Sequence, residues 1–247
     1  MNPGFDPEIF GDFVAAKDNH FMLTYRNRLV TREIRQHFPD VDRILEAGCG
    51  TGMVLSALIH AFPDQNIDAS EIFVSALEAT RHVIGDADVT LFQMDATRMP
   101  FENEYDLIGM FDVLEHIEDD RQALENVHRA LKDRGGFVLT VPQHPWLWTA
   151  ADDAVHHKRR YTRSELAMKL RNAGFEVLRM TSFNSLLMPI MYVSRRLARD
   201  GASEREWRLN PAVNWVLDVV SKFENAVVNL GINLPVGGSL FVAARKA

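Results

Sequence analysis

The sequence predicts an α/β fold in three layers, with helices on both faces of a mostly parallel sheet. Short apolar segments alternate with helical segments over most of the chain, which is typical of strands joined by helical crossovers. A glycine-rich turn joins the first of these strands to the helix after it. The chain has 247 residues, 47% of them hydrophobic, which suits one domain of this kind.

Each strand is predicted from a short apolar run, and each helix from apolar residues three or four positions apart. The predicted strands are Arg43–Ala47, Asn66–Ser70, Val89–Met94, Asp106–Phe111, Phe137–Val141, Phe175–Met180 and Ser239–Ala244. The predicted helices among them are Phe13–Phe38, Met53–Phe62, Ile72–Ile84, Asp119–Leu131 and Ser164–Ala173. We expect Gly135 and Gly136 to separate the fourth of these helices from the fifth strand.

The alternation stops between Thr181 and Gly238, where apolar residues at helical spacing form a stripe. The members of this apolar stripe are Val213, Val216, Val219, Val220, Phe223, Val227 and Leu230. We expect the stripe to pack on the core. A dimer interface, a lid and a surface resting on a membrane are the alternatives. The strand after it joins the sheet late, which leaves an antiparallel orientation open.

Charge and composition limit the partners and the compartment. The net charge is −7 and the pI is near 5.7, so we expect no nucleic-acid partner. Cys49 is the only cysteine, which excludes an internal disulfide and fits a reducing compartment. Met1–Asp12 lacks the pattern of a signal peptide, and no apolar run approaches the roughly 20 residues of a membrane span. We therefore expect a cytoplasmic protein.

The strongest motif is Glu46–Gly52, which reads E-A-G-C-G-T-G between a strand and a helix. Glycines let a ligand approach the main chain, and the unpaired N–H groups at the start of the helix point toward it. A dinucleotide loop, G-x-G-x-x-G, would need a glycine where Met53 stands, which argues against an NAD-linked oxidoreductase. The phosphate loop G-x-x-x-x-G-K-[S/T] is also absent from the sequence.

The pattern E-x-G-x-G-x-G resembles motif I of the class I S-adenosylmethionine (SAM)-dependent methyltransferases. The resemblance extends from about residue 20 to residue 180, and includes Asp95–Ala96, Phe111–His116 and Gly135–Pro142. It implies the Rossmann-like fold of that family, with a seven-stranded, mostly parallel sheet and a helical insertion before the last strand. It also implies SAM as the cofactor and S-adenosylhomocysteine (SAH) as the product.

We expect a single methyltransferase domain, present as a monomer or a homodimer. Its parts would be an N-terminal helical cap (1–40), a SAM-binding core (41–181), a helical insertion (182–238) and the last strand (239–247).

The resemblance assigns the glycine loop to the aminoacyl end of SAM. The loop residues concerned are Glu46, Ala47, Gly48, Cys49, Gly50 and Gly52. The main chain at Phe111, Asp112 and Val113 is expected to line the methionine part. Arg26 is a candidate for the SAM carboxylate, which suits a bidentate guanidinium; a solvated helix face is the alternative.

The resemblance also implies two acidic residues that hold the nucleoside. Asp68 and Glu71 compete for the ribose hydroxyls, and we favour Glu71 because the predicted strand ends just before it. Asp68 would then be a solvated or capping carboxylate. Ile72 follows Glu71 at the same site. Asp95, with the main chain of Ala96, is expected to hold the adenine.

The region after the fifth strand is the candidate acceptor site. It contains V-P-Q-H-P-W-L-W and, farther along, H-H-K-R-R-Y, at the sheet edge where such folds bind ligands. We expect a lid in which His144, Trp146, Arg159 and Arg160 contact the acceptor. A basic surface turn anchored by tryptophan is the alternative.

The candidate catalytic residues are His116, His157 and Tyr161, with a histidine as the general base. Adjacent His156 and His157 would point to opposite sides of an extended chain, so we expect no metal site.

The sequence favours methyl transfer by in-line displacement to oxygen or nitrogen of a small-molecule acceptor, including a lipid-linked or saccharide-linked one. The Asn/Asp-Pro-Pro-Tyr motif of amino-methylating DNA enzymes is absent, and the only cysteine lies in the glycine loop, which leaves cytosine C5 chemistry without a nucleophile. A non-catalytic SAM-binding partner or regulatory protein is the alternative. We also expect weak peripheral membrane contact through Phe183–Arg199 and the apolar stripe.

Overall fold

The computed structural model of the protein describes residues 20–189, residue 192 and residues 210–247. The strands of its sheet are β1 (Arg43–Ala47), β2 (Asn66–Glu71), β3 (Val89–Gln93), β4 (Tyr105–Phe111), β5 (Leu131–Pro142), β6 (Phe175–Phe183) and β7 (Ser239–Lys246). The helices are α1 (Phe21–His37), α2 (Met53–Ala61), α3 (Val74–Ile84), α4 (Asp120–Ala130), α5 (Ala150–Ala154), α6 (Arg163–Asn172) and α7 (Pro211–Asn229). The first predicted helix starts at Phe13, which lies outside the described residues.

The order of the strands across the sheet is β3-β2-β1-β4-β5-β7-β6. The pairs from β3 to β5 are parallel, and β7 is antiparallel to both of its neighbours. The predicted seven-stranded, mostly parallel sheet is therefore confirmed, and the last strand takes the antiparallel orientation. Because parallel strands end at one edge, the residues that follow β1 to β4 come together there.

The glycine pair near β5 differs from its prediction. Gly135 and Gly136 lie within β5, which begins directly after α4, so they do not separate the helix from the strand. Close packing explains Gly136, because a Cβ there would lie 2.7 Å from Leu107 Cδ1 and from Phe38 Cε1. The absence of a Cβ at these two residues therefore allows close contacts within the sheet.

Apolar side chains cover both faces of the sheet. On one face α4 and α6 contribute buried residues such as Leu124 and Leu166. On the other face α1 and α2 contribute buried residues such as Leu29 and Leu55. The sheet is thus a buried middle layer, and the ends of its strands are the places left for a ligand.

The predicted helix of the apolar stripe is α7, but the stripe does not pack on the core. Its exposed members are Val213, Val216, Val219, Phe223 and Leu230. Polar side chains attach α7 to α1: Glu224 accepts a hydrogen bond from Tyr25 Oη at 2.9 Å, and Asp218 pairs with Arg28. The prediction of core packing is therefore wrong. Among the helices of the described ranges, none combines the length and apolar character needed to cross a membrane.

A buried ion pair connects β6 to α1. Arg179 Nη1 donates to both carboxylate oxygens of Glu33, at 2.8 and 3.0 Å, and both side chains are buried. Arg179 Nη2 donates to the carbonyl oxygen of Val228 in α7 at 2.7 Å. One guanidinium group therefore joins the sheet to two helices that are far apart in the sequence.

Candidate active site

The loop between β1 and α2 requires glycine at three positions. Gly48, Gly50 and Gly52 have φ angles of +82°, +54° and +79°, in the left-handed region that favours glycine. A Cβ at Gly48 would lie 2.6 Å from Val113 Cγ2, and one at Gly52 would lie 3.0 Å from Thr80 Cγ2. A Cβ at Gly50 would meet no heavy atom of the described chain within 4 Å. Gly50 therefore faces open space.

The other side chains of this loop point into the protein. Cys49 is buried, with Sγ 3.7 Å from Thr80 Oγ1, so only its main chain is left for a ligand. Glu46 is also buried, and its Oε2 has no hydrogen-bond partner among the described residues. Burial raises the pKa of Glu46 to about 8; nearby Arg26 opposes this rise, and Glu71 adds to it.

Glu46 is expected to make stability depend on pH, and Glu46→Gln should remove that dependence. Because its pKa is raised in the folded state, the folded protein holds a proton that the unfolded chain releases. The resulting stabilisation is fully present below the ordinary value of 4.5 and is lost as the pH rises through about 8. In thermal unfolding, the wild type should therefore lose stability relative to the variant across this range. A difference in melting temperature between the wild type and Glu46→Gln that stays constant with pH would contradict the prediction.

Glu71 is the last residue of β2, and its carboxylate contacts the glycine loop. Oε2 accepts a hydrogen bond from Gly50 N at 2.9 Å, and Oε1 accepts one from Ile72 N at 2.7 Å. The side chain is buried, whereas Ile72 is exposed. These bonds fix the carboxylate beside the open face of Gly50.

Asp68, the other acidic candidate, lies inside β2. It accepts hydrogen bonds from Arg43 Nε and Nη2, at 3.2 and 2.9 Å, and from Tyr105 Oη at 3.0 Å. The expectation of a solvated or capping carboxylate is wrong, because these two partners enclose it. Their presence favours Glu71 as the residue that faces a ligand.

Asp95 follows β3, next to the end of β2. Its Oδ1 accepts from Thr97 N at 2.8 Å and from Thr97 Oγ1 at 2.7 Å, at the start of a 3₁₀ turn, Ala96–Arg98. The neighbouring Met94 N donates to Glu71 O at 3.0 Å. Asp95 and Glu71 therefore lie at the ends of adjacent strands on the same edge of the sheet.

Arg26 and Asp112 form an ion pair at the end of β4. Arg26 Nη1 donates to Asp112 Oδ2, and Thr140 Oγ1 donates to Asp112 Oδ1 at 3.0 Å. The backbone of Asp112 is strained, with φ +56°. Its carboxylate is held by the side chains of Arg26 and Thr140. Arg26 Nε is buried without a hydrogen-bond partner in the described chain. Phe111 and Val113 flank Asp112.

A cluster of titratable groups follows β4 directly. It consists of Glu115 and His116, in the 3₁₀ turn Leu114–His116, together with His157. The rings of His116 and His157 meet edge to face with centroids 4.7 Å apart. His157 Nδ1 lies 2.8 Å from Asp152 Oδ1. Burial lowers the pKa of His116 to about 4, and neighbouring His157 acts in the same direction.

The predicted catalytic residue Tyr161 and two predicted acceptor contacts, Arg159 and Arg160, have partners inside the protein instead. Tyr161 is fully buried, and its hydroxyl donates to Asp120 Oδ2 at 2.9 Å. Arg160 is buried and donates to both oxygens of Asp152, at 2.8 and 3.0 Å. Arg159 Nη1 pairs with Asp120 at 2.9 Å. These contacts correct the hypothesis of a cationic cluster and a catalytic tyrosine facing the acceptor, because the groups concerned hold the segment to the core.

The predicted lid begins at His144, which has φ +65°. Its ring centroid lies 5.1 Å from that of Trp146, which is 57% exposed. A 3₁₀ turn, Pro145–Leu147, and α5 follow; neither was expected from the sequence. Of the predicted acceptor contacts, Trp146 is therefore exposed, and His144 is half-buried beside it.

Sequence reasoning missed two buried acids at this site, Glu115 and Asp152. Glu115 stands inside the Phe111–His116 motif, where only the main chain had been considered. Asp152 is the fourth residue of T-A-A-D, a pattern that resembles a capping box, and with Thr149 it forms one at the start of α5. That pattern was a signal in the sequence; the contact of Asp152 with His157 was not.

Comparisons with known proteins agree with this architecture. A family model described as a methyltransferase domain matches residues 16–180, more than half of the chain. The malonyl-[acyl-carrier protein] O-methyltransferase 1 of Ilyobacter polytropus is 30% identical over 55% of this chain and 53% of its own length. The ubiquinone biosynthesis O-methyltransferase of Rickettsia typhi is 26% identical over 53% of this chain and 53% of its own length. The chain thus aligns with only about half of each relative.

A solved structure shares the fold at low sequence identity. The phosphoethanolamine N-methyltransferase 2 of Haemonchus contortus, in complex with SAM, superposes with a TM-score of 0.60 and 18% identity, over 90% of this chain and 52% of that one. The family match, the sheet order and the glycine loop at the end of β1 agree with one another. The chain belongs to the class I SAM-dependent methyltransferases, with SAM as its cofactor.

Proposed function

We propose that the chain transfers a methyl group from SAM to an oxygen or nitrogen atom of a small-molecule acceptor, lipid-linked and saccharide-linked compounds included. The observation that carries the proposal is the carboxylate of Glu71, bonded to the loop at Gly50 beside open space. The names of the two curated relatives, both O-methyltransferases, favour oxygen as the acceptor atom.

The residues at the carboxyl edge of the sheet fit SAM. Glu71 would accept from the ribose hydroxyls, since its bonds to Gly50 N, Ile72 N and Phe73 N do not use all the lone pairs of a carboxylate. Asp95 and Ala96 N would hold the adenine. The main chain of the glycine loop and of Phe111–Val113 would line the methionine part. Arg26 has a buried Nε–H without a partner in the described chain, which makes it a donor suited to the SAM carboxylate.

The acceptor would lie beside the end of β4, between His116, His157 and the lid residues His144 and Trp146. SAM, when bound, supplies a methyl group on a positively charged sulfur that is already a good leaving group. The protein therefore has mainly to hold the acceptor in line with that methyl group and to keep water out. A histidine of the cluster would take a proton where the acceptor carries one.

Turnover separates an enzyme from a SAM-binding protein without catalysis. The purified chain is incubated with methyl-labelled SAM and a small-molecule extract, and label in products is measured against boiled protein. We expect labelled product and the formation of SAH. Tight SAH binding without turnover, over extracts that include lipid fractions, would favour the non-catalytic alternative.

Glu71→Gln is expected to weaken SAH binding by about 10- to 100-fold, because a hydrogen bond to a charged group contributes about 1.5–3 kcal/mol. Asp68→Asn is the matched control: it weakens the pairing with Arg43 and should lower stability while leaving the dissociation constant for SAH unchanged. Calorimetry with SAH and thermal unfolding of both variants test this. The reverse pattern would assign the ribose to Asp68.

The surface of α7 supports a proposal about contacts beyond the site. Its exposed apolar residues fit two of the alternatives to core packing, weak peripheral membrane contact and a homodimer interface. The other segment predicted to contact a membrane, Phe183–Arg199, lies partly outside the described residues. The compartment that we propose is the cytoplasm. Liposome flotation and light scattering of the purified protein test the two contacts, and Phe223→Glu, at a position 65% exposed, is the variant for both.

A further inference from the structure

We propose that Glu115, His116 and His157 bind a divalent transition-metal ion at the end of β4. One ligand atom of each residue lies within 4.8 Å of the other two, and in the described part of the chain this is the group of three that meets that condition. His157 Nε2 lies 3.9 Å from Glu115 Oε1. Ligands of a tetrahedral ion with bonds near 2.1 Å stand about 3.4 Å apart, so small side-chain rotations complete the set.

Glu115 points to a ligand independently of the histidines. Its side chain is fully buried, and neither carboxylate oxygen has a hydrogen-bond partner among the described residues. A buried polar group without a partner is costly, and a carboxylate more so than a neutral group. No hydrogen-bond donor in the described part of the chain accounts for an acid at this position. A bound cation next to Oε1 and Oε2 would account for one.

The surroundings of the histidines match those of metal ligands. Histidine ligands commonly give their second ring nitrogen to a carboxylate or a carbonyl group, which fixes the tautomer and the ring orientation. His157 Nδ1 is bonded to Asp152, which Arg160 holds with two hydrogen bonds. His116 is hydrogen-bonded to the main chain of His156. Because its Nδ1 is bonded to Asp152, His157 directs its Nε2 toward Glu115.

The donor set indicates which ions fit. Imidazole nitrogen suits zinc, iron, cobalt and nickel, whereas magnesium and calcium prefer all-oxygen sites. Three protein ligands leave at least one position on a four-coordinate ion open to water or to an acceptor oxygen. Binding of the ion does not depend on the proposed function, but any part of the ion in methyl transfer does. A histidine nitrogen that binds the ion cannot also take a proton, so with the ion bound the two histidines would be ligands and not the general base. No metal site is expected from His156 and His157 as neighbours, but this cluster combines His157 with Glu115 and His116, which come from another turn.

The site predicts binding of a single cobalt ion. Protein freed of metal by a chelator is titrated with Co²⁺ and followed by visible absorption, and zinc binding is measured by calorimetry. We expect saturable cobalt bands that Zn²⁺ displaces, and a rise in melting temperature with Zn²⁺. Glu115→Gln and His157→Gln, each similar in size to the residue it replaces, should weaken binding on the order of 100-fold. His156→Asn, an exposed neighbour with φ +59°, is the matched control and should bind as the wild type does.

Three results would overturn the proposal: no saturable cobalt spectrum in folded wild type, equal loss of binding in His156→Asn, or unchanged binding in both ligand variants. Thermal unfolding without metal shows whether the variants are folded, and either ligand variant suffices if the other is not. SAH calorimetry on metal-free wild type distinguishes the two proposals. Retained SAH binding without cobalt binding removes only the metal site, and lost SAH binding with retained cobalt binding removes only the proposed function.

Discussion

Gly50→Arg is expected to abolish SAH binding while the protein remains folded. A side chain at position 50 would enter the open space that the Glu71 carboxylate borders, where a Cβ has no neighbour within 4 Å in the described chain. Gly50 N donates a hydrogen bond to the Glu71 carboxylate, and Gly50 O accepts one from Thr80 Oγ1. Neither hydrogen bond depends on the side chain at position 50. The arginine would therefore occupy the SAM site; the strain of a side chain at φ +54° lowers stability, but it removes neither of these two hydrogen bonds.

Gly85→Arg is the control for this experiment. Gly85 has φ +60°, close to the +54° of Gly50, and a Cβ there also meets no heavy atom of the described chain within 4 Å. Both substitutions place a side chain at a position of positive φ and add the same charge, but Gly85 lies beyond α3, away from the carboxyl edge. Calorimetry should show normal SAH affinity for Gly85→Arg. Equal loss in both variants, or normal affinity in Gly50→Arg, would refute the location of the site.

Glu33→Ala is expected to destabilise the fold by about 3–5 kcal/mol, the usual cost of removing one partner of a buried ion pair. The variant leaves the buried guanidinium of Arg179 with neutral partners only, Val228 O at 2.7 Å and Asn233 Oδ1 at 3.3 Å. Urea denaturation monitored by circular dichroism measures the loss. An effect well below about 1 kcal/mol would contradict the prediction.

A double variant tests whether the charge itself is responsible. Glu33→Leu combined with Arg179→Met removes both charges and fills similar volumes, and such replacements are often neutral. We expect the double variant to recover most of the stability lost in Glu33→Ala. If its loss equals or exceeds that of the single variant, the pair stabilises through geometry that apolar packing cannot replace.

The sequence predicted the sheet and its ligand edge because those features are local. Each strand is a short apolar run, and the glycines of the loop are needed for left-handed backbone at 48, 50 and 52, which a motif can report. The distinction between Glu71 and Asp68 also followed from position along one strand. The late position of the last strand, after the apolar stripe, left an antiparallel orientation open, and the structure settles it as antiparallel.

The acceptor side could not be predicted in the same way, because it depends on contacts between distant segments. Lys158 N donates to Glu115 O at 2.8 Å, and this main-chain contact brings His157 to the turn after β4. No local pattern encodes that approach. Arg159 and Arg160 of the H-H-K-R-R-Y run are predicted to face the ligand, whereas Asp120 and Asp152 hold them inward. The apolar stripe also predicts the wrong packing face of α7, because the buried residues of that helix are Ser221, Glu224 and Val228.

The position of β7 between β5 and β6 has a consequence for synthesis of the chain. In the described sheet β6 pairs only with β7, and the latter emerges from the ribosome after the whole of α7. Until then a nascent chain exposes β6 and one side of β5 as unpaired edges, which are prone to pair with other chains. Closing so long a connection also slows folding. β6 and one side of β5 therefore stay available for pairing with other chains until β7 has been made.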